Sequence, residues 1–82
     1  MVCPPIQFQI FEDVNVVFRR AIQIAQEQGI TLQGDTKKGT FVGRGVLGTY
    51  TVSGNIITVN ITSKPIYLTC RMIENELSKF FS

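Results

Sequence analysis

The chain contains no histidine. That absence removes the commonest metal ligand and the commonest general base near neutral pH. Cysteine is scarce: Cys3 and Cys70 are the only two, and no CxxC pair exists. No apolar run approaches the roughly 20 residues needed to span a bilayer. Residues 1–9 lack the basic start and long apolar stretch of a secretory signal. The expectation is a cytoplasmic protein with two reduced thiols. Cys3, beside Pro4 and Pro5, is a weak candidate for a reactive thiol. Charge is also scarce, at 17% of residues and a net +2. That excess is too small to imply nucleic acid by itself, because nucleic-acid modules concentrate Lys and Arg on one face. Here Arg19, Arg20, Lys37, Lys38, Arg44, Lys64, Arg71 and Lys79 are scattered along the chain.

What is present suits a compact folded domain. Hydrophobic residues make up 44% of the 82 residues, well above the level of a disordered chain. The length gives one domain over residues 1–82. A domain this small buries about two-thirds or less of its unfolded surface, so homodimerisation is one route to added stability. Residues 6–11 alternate Ile6, Phe8 and Ile10 with Gln7 and Gln9, the period of a half-buried strand. From Val14 the period changes to that of an amphipathic helix. Val14, Val17, Phe18, Ala21, Ile24 and Ala25 share one stripe. Asp13 is placed as its N-cap and Gly29 as its C-terminal stop. Val16 and Ile22 fall off the stripe.

The next segment is rich in β-formers and punctuated by glycine. Gly54-Asn55 reads as a two-residue hairpin loop. It pairs Val52 with Ile57, Tyr50 with Val59, and Gly48 with Ile61. Thr51 then faces Thr58 and Thr49 faces Asn60 on the opposite side. A preceding turn around Val46-Leu47 pairs Gly43 with Tyr50 and Phe41 with Val52. Neither Val46 nor Leu47 favours positive φ, so a longer loop anchored by Gly45 and Gly48, or a bulge, is expected there. The loop Asp35-Thr36-Lys37-Lys38 pairs Leu32 with Phe41 and Ile30 with Gly43. A one-residue slip would invert a strand, and the three turns agree. The inward set is Ile30, Leu32, Phe41, Gly43, Gly45, Tyr50, Val52, Ile57, Val59 and Ile61. The outward set is Thr31, Gln33, Thr40, Val42, Arg44, Thr49, Thr51, Ser53, Ile56, Thr58, Asn60 and Thr62.

The last element is helical, with Ile73, Leu77, Phe80 and Phe81 as its apolar stripe. It starts either at Pro65, capped by Ser63, or near Cys70, capped by Thr69 with Leu68 and Ile73 as its staple. The shorter helix is preferred. Two helices need cover and one sheet face offers it. The expected fold is therefore an α+β two-layer sandwich in the order β-α-β-β-β-β-α. It is a four-stranded antiparallel meander, with the N-terminal segment a candidate extra strand and both helices on one face. Gly43 and Gly45 are expected to let a helix approach the sheet.

Several segments resemble the polyhydroxyalkanoic acid system family of small bacterial proteins. They are Gly34-Asp35-Thr36, Gly45-Val46-Leu47-Gly48-Thr49, and Ile73-Glu74-Asn75-Glu76-Leu77. Residues 63–71, SKPIYLTCR, depart from the leucine-rich stretch usual in that family. The resemblance implies a similar arrangement of elements and a role at polyhydroxyalkanoate granules. It supplies no catalytic residues.

No constellation for catalysis is visible, and a non-enzymatic binding module is the expectation. Gly43-Arg44-Gly45 lacks the spacing and the strand–loop–helix setting of a phosphate loop. Glu74 and Glu76 project about 200° apart on a helix, so they cannot act as a carboxylate pair. Ser63, Ser78 and Cys70 have no base beside them. No metal and no cofactor are expected. The candidate binding surface is the outward sheet face: Val42, Arg44, Thr49, Thr51, Thr58 and Asn60. Threonine also suits an exposed strand with no further role, and Arg44 is the one outward group able to take a carboxylate or phosphate. The expected partner is a protein or a granule surface. One alternative is a double-stranded RNA-binding module, from the helix–β–β–β–helix order. It wants a basic cluster at the last helix, where only Lys64 and Arg71 stand. The other is a structural homo-oligomer.

Overall fold

The computed structural model describes residues 3–81, with the side chains of Phe80 and Phe81 outside that description. Seven elements follow in the order β1 (Ile6–Gln9), α1 (Val14–Gln28), β2 (Thr31–Gly34), β3 (Lys38–Gly43), β4 (Val46–Ser53), β5 (Ile56–Ser63) and α2 (Cys70–Phe81). The strands form one antiparallel sheet, ordered β1-β5-β4-β3-β2. The N-terminal segment is a true fifth strand, pairing Ile6 with Val59 and Phe8 with Ile57. Described side chains of both helices join the inward face of the sheet in one buried cluster. It unites Val17 of α1, Ile73 and Leu77 of α2, and Phe41, Tyr50, Ile57, Val59 and Ile61. This is the two-layer α+β arrangement that the periodicities imply.

Local chemistry sets the helix ends. The Asp13 carboxylate accepts from the Asn15 N–H at 2.8 Å, satisfying a donor that the first turn leaves open. Gly29 closes α1 at φ 74°, and the Ile30 N–H reaches back to the Ala25 carbonyl. The second helix takes the shorter of its two possible starts. Thr69 caps it, its hydroxyl accepting from the Met72 N–H at 3.1 Å. The Phe80 and Phe81 positions of its expected stripe lie outside the described side chains.

The outer two hairpins hold the expected register. Leu32 faces Phe41, while Val52 faces Ile57 and Tyr50 faces Val59. The middle hairpin turns two residues earlier than expected, which moves each strand pairing by four residues. Phe41 pairs with Gly48 and Tyr50 with Gly39, where Val52 and Gly43 were expected. The turn sits at Arg44-Gly45, both at positive φ (55° and 80°), which suits a tight type I′ connection. Val46 and Leu47, poor turn residues, go into β4 instead. A bulge does occur nearby: Leu47 pairs with Ser63 and Gly48 with Ile61. Thr62 is thereby left over, and its hydroxyl donates to the Leu47 carbonyl at 3.1 Å.

An even shift preserves strand parity, so the inward and outward sets survive it. Arg44 and Gly45 are the exceptions, because they leave the strand altogether. The expected approach of a helix to Gly43 and Gly45 is also corrected. The space beside Gly43 is taken by Ile30, and that beside Gly45 by Pro65. The close approaches lie elsewhere. Tyr50 lies over Gly39 and Phe41 over Gly48, so any Cβ at either glycine would collide with a ring. Two aromatics thus cover two cross-strand glycines.

The expectation of two reduced thiols is overturned. Cys3 and Cys70 are joined in a disulfide, with Cα atoms 5.8 Å apart and 67 residues between them in sequence. The bond ties the segment before β1 to the first residue of α2. Cys3 is buried in the core and is no reactive thiol. Disulfides persist mainly in oxidising compartments, so the ground for a cytoplasmic location falls with the thiols. No helix among the described residues is long and apolar enough to cross a membrane.

Candidate functional site

Small residues on α1 set the height of the helical layer. Ala21 and Ala25 are both 1% exposed and pack with Ile30 and Leu32. Alanine brings the helix close to β2 but reaches no further across the sheet. From the other side, α2 contributes Ile73 and Leu77. Between the two helices, over the middle of the sheet, lies a cavity of about 480 Å³. That volume is within the range of small-molecule sites, roughly 300–1,000 Å³.

The floor of the cavity is Phe41, Tyr50 and Val59, all buried. Its walls are Ala21, Ile30 and Leu32 on one side and Met72, Ile73 and Leu77 on the other. The polar groups gather at the rim: Gln28 at the end of α1, Arg44 in the β3–β4 turn, Tyr67 in the loop before α2, and Asn75 and Glu76 on α2. The rim is exposed where the floor is not. Tyr67 is 76% exposed and its neighbour Ile66 98%. An apolar hollow with a few polar groups at one end suits an elongated, largely apolar ligand.

Tyr50, Asp35 and Glu76 are tied into structure. The Tyr50 hydroxyl donates to the Asp35 carbonyl at 2.8 Å. Burial, helped by the Asp35 charge, pushes the Tyr50 phenol up to about 12. It therefore keeps its proton near neutral pH. The Asp35 carboxylate accepts from the Lys38 N–H at 2.9 Å and the Lys37 N–H at 2.8 Å. These bonds, that from Lys38 first, hold it below the usual carboxylate range. Glu76 sits 3.5 Å from Lys79. Among the described residues no group of three His, Cys, Asp or Glu side chains is placed to hold a metal.

The outward candidates divide. Val42, Thr49, Thr51, Thr58 and Asn60 share one face, with Thr51 opposite Thr58 and Thr49 opposite Asn60. Thr49 also faces Thr40, and the face is continued by Gln7 beside Thr58. Arg44 does not join them. Its place in the turn puts it at the mouth of the cavity on the opposite side. Leu47 takes a place on the outward face instead, paired with Val42; both are nearly half exposed, at 46% and 45%.

Sequence reasoning missed the cavity because its lining residues read as ordinary core. Two signals pointed to it. Ala21 and Ala25 stand one turn apart at fully buried positions of α1, where larger residues would fill the layer. Exposed Ile66, Tyr67 and Met72 also cluster at the start of α2. No protein-family model, no curated protein and no solved structure matches the chain.

Proposed function

We propose that the protein is a non-catalytic binding module that holds a small, largely apolar ligand in the cleft between α1 and α2. The observation that carries this reading is the cavity of about 480 Å³ with an apolar floor and its polar groups confined to the rim. A hollow of this size in so small a domain forgoes dispersion contacts that close packing would supply, and a ligand restores them. A granule-associated setting is part of this proposal and rests only on the resemblance of the short segments named above.

Titration with the neutral fluorophore phenylnaphthylamine tests the reading. Saturable binding at one site per chain is expected. Val46→Trp, which adds a large ring at the cavity wall, is expected to weaken it at least about ten-fold while the fold persists. A flat titration in the native protein would reject the cleft as a site.

A second reading, self-association, has its own observation. Val42 and Leu47 form an exposed apolar pair on the outward face, and such pairs favour contact between copies. Sedimentation that depends on concentration, and ceases to do so in Leu47→Lys, would support it. A monomer at all concentrations would end it.

A further inference from the structure

Every charged group that reaches the cleft does so at its rim, and their states differ. Glu76 is already accompanied by Lys79. The Arg44 guanidinium has no ion-pair or hydrogen-bond partner among the described residues, and it stands on a backbone fixed by a two-residue turn at φ 55°. The first turn of α2 borders the same rim: Leu68, Met72 and Ile73 all line the cavity. That turn carries no acidic residue, so the partial positive charge of the helix start is uncompensated there. Gln28 and Asn75 add amide donors at the edge. The rim therefore offers one unpaired cation, Arg44, and amide donors, above a floor without charge, while its one carboxylate, Glu76, is already met by Lys79.

We infer that the ligand is a single-chain amphiphile with an anionic head, its chain in the cleft and its carboxylate or similar group at Arg44. This rests on the cleft reading above and adds the polarity of binding. An anionic head gains a charge-assisted hydrogen bond, two if it meets the guanidinium side-on. A cationic head meets Arg44 as a like charge. A neutral head gains the chain burial alone. One chain, rather than two, matches a hollow of about 480 Å³.

The test uses the folded, disulfide-intact protein and three probes with the same twelve-carbon tail: laurate, dodecyl maltoside and dodecyltrimethylammonium, each below its micelle concentration. Calorimetry is expected to give laurate about ten-fold tighter binding than either of the others, from one charge-assisted bond. Rising salt should erode that preference and leave the maltoside unchanged. Arg44→Asn, chosen because asparagine tolerates the left-handed turn, should bring the ratio of laurate to maltoside affinity down to about one. Arg44→Lys should retain most of the preference. If the three probes bind equally, or Arg44→Asn leaves laurate unchanged, the head-group assignment is overturned while the cleft stands. If none of them binds, both readings are overturned.

Discussion

The two faces of the sheet are made by the same alternation of side chains, yet they differ in how tightly they are determined. On the outward face, Thr51 meets Thr58 and Thr49 meets Thr40 and Asn60, side chains of similar size in a mainly polar array broken by Val42 and Leu47. On the inward face, large and absent side chains are matched across strands. Phe41 lies over Gly48 and Tyr50 over Gly39. The inward face is then roofed unevenly. Alanines of α1 close one side, Ile73 and Leu77 of α2 close the other, and a hollow is left between. The comparison teaches that polarity alone does not mark the working surface. The more distinctive face by composition is the simpler one physically, and the ordinary-looking apolar face contains the shaped feature.

The largest expected effect is on the tie that holds the roof in place. Removing the Cys3–Cys70 bond frees a separation of 67 residues, for which chain entropy gives a loss of ~4 kcal/mol. Cys3→Ser with Cys70→Ser, compared with the native chain in urea melts, should show a drop of that order. A change below about 1 kcal/mol would mean that the bridge adds little to the packing around α2.

The next effect probes the matched face. Gly48→Ala places a methyl against the Phe41 ring and the Asn60 carbonyl, and overpacking of this kind costs about 1–3 kcal/mol. A neutral result would show that Phe41 can swing away, and that the register is less constrained than the geometry implies. Tyr50→Phe deletes the bond to the Asp35 carbonyl and should cost about 1 kcal/mol.

The same tyrosine predicts a pH dependence. Its folded-state value is raised, from the usual 10.0 to about 12. The unfolded chain thus releases the proton first as pH rises. The contribution from Tyr50 is complete below pH 10 and is lost as pH climbs through about 12. Alkaline melts of the native protein should show this decline, and Tyr50→Phe should lack it. The smallest effect belongs to the outward face. Thr51→Ser is expected to change stability by no more than about 0.5 kcal/mol. A larger loss would mean that this face is packed against something and is not the simpler of the two.

Much of the fold was legible in the sequence, for identifiable reasons. Asp13, Gly29 and Thr69 are cap residues whose chemistry acts locally, and each does what its type and position suggest. Gly54-Asn55 is a turn with one compatible register. The middle hairpin was misread because its turn uses Arg44 in a left-handed conformation, which is uncommon for a residue other than glycine, asparagine or aspartate. Misplacing the turn by two residues left the faces intact and cost only the places of Gly45 and Arg44. That one side chain mattered, since it moved from the threonine face to the mouth of the cleft. The disulfide was not legible. Nothing local joins residues 67 apart, and the bond exists because β1 pairs with β5 and so brings Cys3 to the start of α2. The cavity was illegible for a related reason, because a gap between two helices belongs to their placement and not to either stripe.

The most direct measurement is an amide chemical-shift map of the protein at saturating laurate. Perturbations are predicted at Ile30, Val46, Tyr50, Val59, Met72 and Leu77, with Arg44 among the largest. Thr49, Thr51, Thr58 and Asn60 should be nearly silent. Shifts concentrated on those four residues, with the cleft unmoved, would contradict the account and return the binding surface to the outward face.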